Sequence, residues 1–464
     1  MFRLSSLQAA VSRRLPLTAF TGAMLLGLGS ITSPIAASGQ TFVTSASATS
    51  SSLPLVQGYA SDSFVDAVGV NTHLTYGNTP YYNNWPQVLN LLQELGVRHI
   101  RDSYFNPTWG PPLAARHQQL AAANIHTNYV LSNLYSPGIT SATVQQLKAQ
   151  VKDMESVEFP NECDVAGNCG LTEALSLVNM KTFGAATVNP AGKAAGVTVV
   201  GPAMAAAQSY SLVGNVSSIM NTNNLHVYFA GHNPGSSGWG SYDAEGHSYG
   251  SFQYWLDQAN LDAPGVPVRI TETGYESFAG ERIAGTIPPD VEESYIPRTL
   301  ALAFMNGFPR TYIYELLDEV NSPGYGIVDS NLNPKPAYVA LANLIANFSD
   351  PGTTPFTPGK LPYTVIGGDS TLKQLLLSKR DGSFWLVLWL EQPSYNATTS
   401  EYTAVTPQKV EISVGGTYFI PDVGSFDTTG HLNFTGTWAK NYFCVKSMPL
   451  TITDQMTLVK IIPN

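Results

Sequence analysis

The sequence predicts an α/β protein, a (β/α)8 TIM barrel followed by a C-terminal β-sandwich, and three observations support that expectation. From about residue 64 to residue 350 one rhythm recurs: a short β-branched run, a polar loop, an amphipathic helical stretch, and a turn into the next run. The runs number eight, which is the count that closes a barrel. Past residue 360 the rhythm stops and strand patterns replace it.

The chain opens with an expected export signal over residues 1–38. Arg3, Arg13 and Arg14 precede an apolar stretch from Leu15 to Ile35 and the small residues Ala36-Ala37-Ser38, with no acidic residue among them. A membrane anchor is the alternative, and Pro16 and Pro34 at the two ends of the stretch disfavour it. Residues 39–58 contain a Ser/Thr/Ala-rich segment and are expected to form a flexible leader. The expected location is therefore secreted, periplasmic or on the cell surface.

The barrel is expected over residues 59–350. Val68-Gly69-Val70-Asn71 is its first strand, and Val88, Leu89, Leu92 and Leu95 then recur at helical spacing before Gly96 caps the helix. Further strands are expected at Val97 to Asp102, Ile125 to Leu131, Ser156 to Phe159, Val197 to Val200, Leu225 to Tyr228, Pro267 to Thr271 and Thr311 to Tyr314. A doubly wound open sheet ranks lower because no glycine-rich phosphate loop follows the first strand. Residues 351–360 are dense in Pro, Gly and Thr and form a linker. The sandwich, expected over 351–464, takes strands from Phe384 to Leu390, Lys409 to Val414, Leu450 to Ile452 and Met456 to Ile462.

Composition excludes several partners. The 464 residues carry 33 acidic and 23 basic side chains, and only 12% are charged. A net charge of −10 with no basic cluster opposes nucleic-acid binding. Mean hydropathy near zero gives no reason to expect a membrane partner once the signal is removed. The eight histidines are scattered, and no HExxH, CxxC or acidic calcium loop occurs, so neither a metal nor a cofactor is expected. Outside the cytoplasm Cys163 and Cys169 are candidates to form a short disulfide loop, leaving Cys444 as a buried thiol.

In a barrel the chemistry sits at the C-terminal ends of the strands. Two of those ends carry a glutamate in a suggestive setting: Phe159-Pro160-Asn161-Glu162-Cys163 after the fourth strand and Ile270-Thr271-Glu272-Thr273-Gly274 after the seventh. Strands four and seven face each other across the mouth, so the two carboxylates are placed to flank one glycosidic bond. Asn161-Glu162 and Glu272 together resemble the signature of clan A retaining glycoside hydrolases. The resemblance covers the whole barrel and includes Gly201-Pro202-Ala203, His226-Val227-Tyr228 and Lys335-Pro336-Ala337-Tyr338. Among the clan, the barrel followed by a sandwich is most similar to glycoside hydrolase family 39, with families 5, 30 and 79 as relatives.

The resemblance implies that Glu162 is the general acid/base, that Glu272 is the nucleophile, and that Asn161 binds the sugar 2-hydroxyl. The implied substrate is a β-linked oligo- or polysaccharide. Tyr228 is expected to donate to Glu272, and Arg101 to hold it ionised. Asn71, His73 and Trp239 are candidate substrate ligands. So is Tyr314, which stands in place of the tryptophan common in family 5. His226 is expected to be a satisfied core histidine. A catalytically silent carbohydrate-binding scaffold and a transglycosylase using the same glutamates are the alternatives.

Overall fold

The computed structural model describes residues 53–108, 111–132, 138–280, 283–319, 323–435 and 445–464. The expected export signal, most of the leader and Cys444 lie outside the described residues.

Eight parallel strands form the barrel: β1 (Val68–Asn71), β2 (His99–Ser103), β3 (His126–Val130), β4 (Met154–Glu158), β5 (Thr198–Val200), β6 (Asn223–Tyr228), β7 (Val268–Gly274) and β8 (Thr311–Ile313). They pair in chain order, and β8 returns to pair with both β7 and β1. A bridge between Val200 and Thr222 closes the ring between β5 and β6, where the Gly201 N–H donates to the Thr222 carbonyl over 2.8 Å.

The helices cover the strands for the reason the periodicity gives. In Trp85–Leu95 the residues Val88, Leu91, Leu92 and Leu95 share one face and are buried. That helix ends at Gly96 in the left-handed region, φ 75°, and a Cβ there would come within 2.9 Å of Ile345. Glycine is required on both counts.

The sandwich stacks a four-stranded antiparallel sheet on a six-stranded one. Its central strand, Phe384–Leu390, is buried along its whole length. Side chains alternate across a strand, so Phe384, Leu386, Leu388 and Leu390 fill the sandwich interior while Trp385, Val387 and Trp389 join the barrel core. The six-stranded sheet is thus the shared wall of both domains. Arg298, on the helix Pro289–Met305, crosses this boundary to Glu391, which also accepts from Trp389 Nε1 and Asn233 Nδ2 at 2.8 Å each.

One boundary differs from expectation. Leu55–Gln57 falls in the stretch expected to be flexible leader, yet it is a strand paired antiparallel with Lys360–Pro362. Tyr59–Ala60, expected to open the barrel, is instead an edge strand of the six-stranded sheet beside Leu377–Ser378. The reason is pairing: these short runs satisfy backbone groups on sheets whose other strands lie some three hundred residues later, which local composition does not report.

Candidate active site

The mouth of the barrel holds a buried polar network centred on Arg101, at the end of β2. Its Nη1 donates to Glu272 Oε1 over 2.6 Å and to Asn71 Oδ1 over 3.0 Å, and its Nη2 donates to Glu158 Oε1 and Asn161 Oδ1 over 2.7 Å each. Nε completes the set with Glu158 at 3.1 Å. One guanidinium thereby links β1, β4 and β7, and its fixed planar fork matches that task.

Glu272 lies on β7 with its second oxygen accepting from the Tyr228 hydroxyl over 2.8 Å. Burial raises its pKa, but the charges on His226 and Arg101 and the hydrogen bonds from Tyr228 and Arg101 outweigh that and hold it below the usual glutamate value. It is the ionised carboxylate of the site.

Glu162 stands on the loop after β4 in a left-handed conformation, φ 44°, which is rare for a side chain larger than glycine and concentrates at functional sites. Its carbonyl accepts from Val165 N at 3.0 Å and Asn168 Nδ2 at 3.1 Å, and the next residue, Cys163, is disulfide-bonded to Cys169 with a Cα–Cα distance of 5.2 Å. The loop is therefore fixed immediately after the carboxylate.

His226 Nδ1 sits between the two acids, 2.8 Å from Glu162 Oε1 and 3.5 Å from Glu272 Oε2. One carboxylate oxygen from each glutamate and this nitrogen all lie within 4.8 Å of one another. Burial lowers the pKa of His226, yet the two carboxylates prevail and raise it above the ordinary histidine value. On the other side of Glu272, Tyr228, Tyr325 and Tyr314 form an aromatic wall with ring centroids 5.9 and 5.8 Å apart. The Tyr314–Glu315 peptide is cis. A Cβ on Gly274 would lie 2.2 Å from the Tyr314 carbonyl oxygen, so only glycine lets β7 and the residue after β8 approach this closely.

Glu162, Glu272, Asn161, Tyr228 and Arg101 thus converge on one site. Asn71 joins them indirectly: it is buried, and its amide donates to the Thr271 and Ile313 carbonyls at 3.0 and 3.2 Å while holding Arg101. His73 is stacked on Tyr76 and meets Tyr314 edge-on at 5.7 Å. Trp239 stacks on His232 at 4.2 Å within the loop after β6 and donates to Ser236 Oγ.

Two residues matter more here than sequence reasoning allowed. His226, expected as a core histidine, bridges the two acids, and its position two residues before Tyr228 on the same strand face was the available signal. Glu158, given no role, binds Arg101 and accepts from Asn128, and it follows the inward-facing Ser156 at strand spacing.

Among the described residues, three groups bring histidine and carboxylate atoms close enough to hold a cation: Glu162, His226 and Glu272; His73, Glu315 and Glu319; and Asp243, His247 and Asp257. In the first, Arg101 and Tyr228 already occupy the Glu272 oxygens, so proton chemistry suits it better than a metal.

No family model matches the chain, and no curated protein matches it in sequence. Solved structures similar to it at low identity include the following three. An active-site mutant of the Rhizomucor miehei β-1,3-glucanosyltransferase in complex with laminaritriose is 16% identical, with a TM-score of 0.39, over 59% of this chain and 96% of that one. A calcium-binding mutant of Bacteroides uniformis β-glucuronidase 2 is 13% identical, TM-score 0.42, over 85% of this chain; this chain spans less than half of that protein, 45%. A family 51 α-L-arabinofuranosidase from Bifidobacterium longum is 11% identical, TM-score 0.44, over 88% of this chain and 98% of that one.

Proposed function

We propose that this chain is an exported retaining glycoside hydrolase acting on a β-linked oligo- or polysaccharide, with Glu162 as general acid/base and Glu272 as nucleophile. The observation that carries this reading is the pairing of two carboxylates across the barrel mouth, with oxygens less than 4.8 Å apart and in different surroundings. Retaining enzymes need their carboxyl groups about 5–5.5 Å apart, while inverting ones leave roughly 6.5–9.5 Å for a water.

In the first step Glu272, kept ionised by Arg101 and Tyr228, attacks the anomeric carbon. Glu162, hydrogen-bonded to His226 Nδ1, gives a proton to the departing oxygen. In the second, the ionised Glu162 takes a proton from water, which displaces Glu272 and leaves the anomeric configuration unchanged. Asn161, fixed by Arg101, is placed to bind the 2-hydroxyl as positive charge builds on the ring.

The test is hydrolysis of a panel of aryl β-glycosides and soluble polysaccharides, with product anomers followed by proton NMR. The β-anomer should appear first, Glu272→Gly should be inactive, and azide should restore Glu162→Ala on substrates with good leaving groups. Unchanged turnover in either variant would overturn the roles. Products longer than the substrate would identify a transglycosylase, and silence on the whole panel alongside glycan-array binding would identify a scaffold.

A further inference from the structure

We propose that His73, Glu315 and Glu319 form a binding site for one divalent transition-metal ion of the zinc or manganese class, set into the barrel mouth beside the Glu272 pocket. His73 lies two residues beyond β1, and the two glutamates follow β8; β1 and β8 are paired neighbours, so the fold brings the three together. His73 Nε2 is 3.6 Å from Glu315 Oε2 and 3.8 Å from Glu319 Oε1, and the three ligand atoms lie within 4.8 Å of one another. Metal–ligand bonds of about 2.0–2.2 Å at tetrahedral angles place ligand atoms roughly 3.4 Å apart. The two edges from His73 need to shorten by only a few tenths of an ångström.

Burial supplies the second, independent observation. The Glu319 side chain is 1% exposed and its carboxyl meets a second carboxyl, Glu315, rather than an N–H donor, while neither ring nitrogen of His73 has a hydrogen-bond partner. The other acids of the mouth are matched: Glu158 by Arg101, and Glu272 by Arg101 and Tyr228. A buried carboxylate without a donor is costly, and one facing a second carboxylate is more so. A directly ligated cation would answer both carboxyl groups and the imidazole at once.

The surroundings suit an ion held there. Tyr81 donates its hydroxyl to Glu315 Oε2 over 2.9 Å and is itself fixed by the Leu317 N–H at 2.9 Å, the kind of outer contact that orients a ligating carboxylate. One imidazole and two carboxylates suit zinc or manganese, whereas calcium takes six to eight oxygens. The Asp243, His247 and Asp257 group is a weaker candidate, since it is partly exposed and two backbone N–H groups already bond Asp243.

The test strips the full chain with a chelator, dialyses it against Zn²⁺, Mn²⁺ or Co²⁺ in turn, and measures metal per chain by mass spectrometry. One ion per chain should be retained by the wild type and by Asp257→Asn, with binding weakened at least tenfold in Glu319→Gln and in His73→Gln. Retention of no ion, or loss only in Asp257→Asn, would overturn the proposal. Should the glutamate variant fail to fold, X-ray absorption of the cobalt-loaded wild type decides. A shell with a single imidazole nitrogen and carboxylate oxygens, retained in Asp257→Asn, supports the site; an all-oxygen shell overturns it.

Discussion

Replacing Tyr228 by phenylalanine removes one hydroxyl from beside Glu272, the proposed nucleophile, and little else. The ring stays in place against Tyr325, at 5.9 Å between centroids, while the 2.8 Å hydrogen bond to Glu272 Oε2 is lost. That bond stabilises only the ionised carboxylate, so its removal raises the pKa of Glu272. A hydrogen bond to a charged group contributes about 1.5–3 kcal/mol, and one pKa unit corresponds to about 1.4 kcal/mol, so the rise is roughly one to two units. The proposed mechanism requires ionised Glu272, hence the acid limb of kcat/KM should move toward neutrality by that amount. An aryl β-glycoside with a good leaving group is the right substrate, because it makes the rate depend on the nucleophile more than on the acid. An acid limb that stays put, or moves to lower pH, would refute the assignment of Tyr228 as the group that keeps Glu272 ionised.

Glu391→Leu leaves the guanidinium of Arg298, 0% exposed, without its carboxylate at the barrel–sandwich boundary, and urea unfolding should report a loss of about 3–5 kcal/mol. Replacing Arg298 as well should recover part of that loss. Glu292 is buried and its pKa is pushed up to about 8 by burial, so the folded state holds a proton that the unfolded state releases. Stability should therefore fall as pH rises from about 5 to 8, by at most about 1.4 kcal/mol per unit for this group, and Glu292→Gln should flatten that slope in urea titrations across the range. Serine at both Cys163 and Cys169 should cost about 2 kcal/mol of stability, because the closed loop is short, but should lower turnover more clearly by releasing Glu162 from its left-handed conformation. Full activity in a correctly folded double variant would show that the disulfide does not position the acid.

The barrel was legible because its strands are buried β-branched runs separated by amphipathic helices, a pattern whose period changes at each boundary. Phe384–Leu390 was legible as an unbroken apolar run. So were Lys409 to Val414, Leu450 to Ile452 and Met456 to Ile462, by their alternating or apolar runs, but other sandwich strands were not. Leu372–Ser378 has no β-branched residue and is a strand only because Phe384–Leu390 pairs with it residue for residue. Lys360–Gly367 carries Pro362, which usually argues against a strand. At the site, Glu162 and Glu272 stand in recognisable local contexts, whereas the meaning of His226 and Glu158 depends on what faces them from other strands. The His73, Glu315 and Glu319 group was invisible for the same reason. Its members are contributed from opposite ends of the barrel sequence, and only the pairing of β1 with β8 brings them together.

The strand Leu55–Gln57 has a consequence for how this protein is made. The Gln57 side chain reaches a carbonyl 301 positions later, and the sheet it belongs to cannot form until the end of the chain has emerged. During synthesis the barrel strands are all present by residue 313, while the segment that precedes them is unpaired and the wall that will carry Trp385 and Trp389 is still missing. Such long-range closure folds slowly and leaves sticky intermediates exposed. A gene shortened to end at residue 350 would therefore yield a barrel with an uncovered flank and an orphaned leading strand. The two halves of this molecule are best regarded as one cooperative body, tied shut by its own beginning.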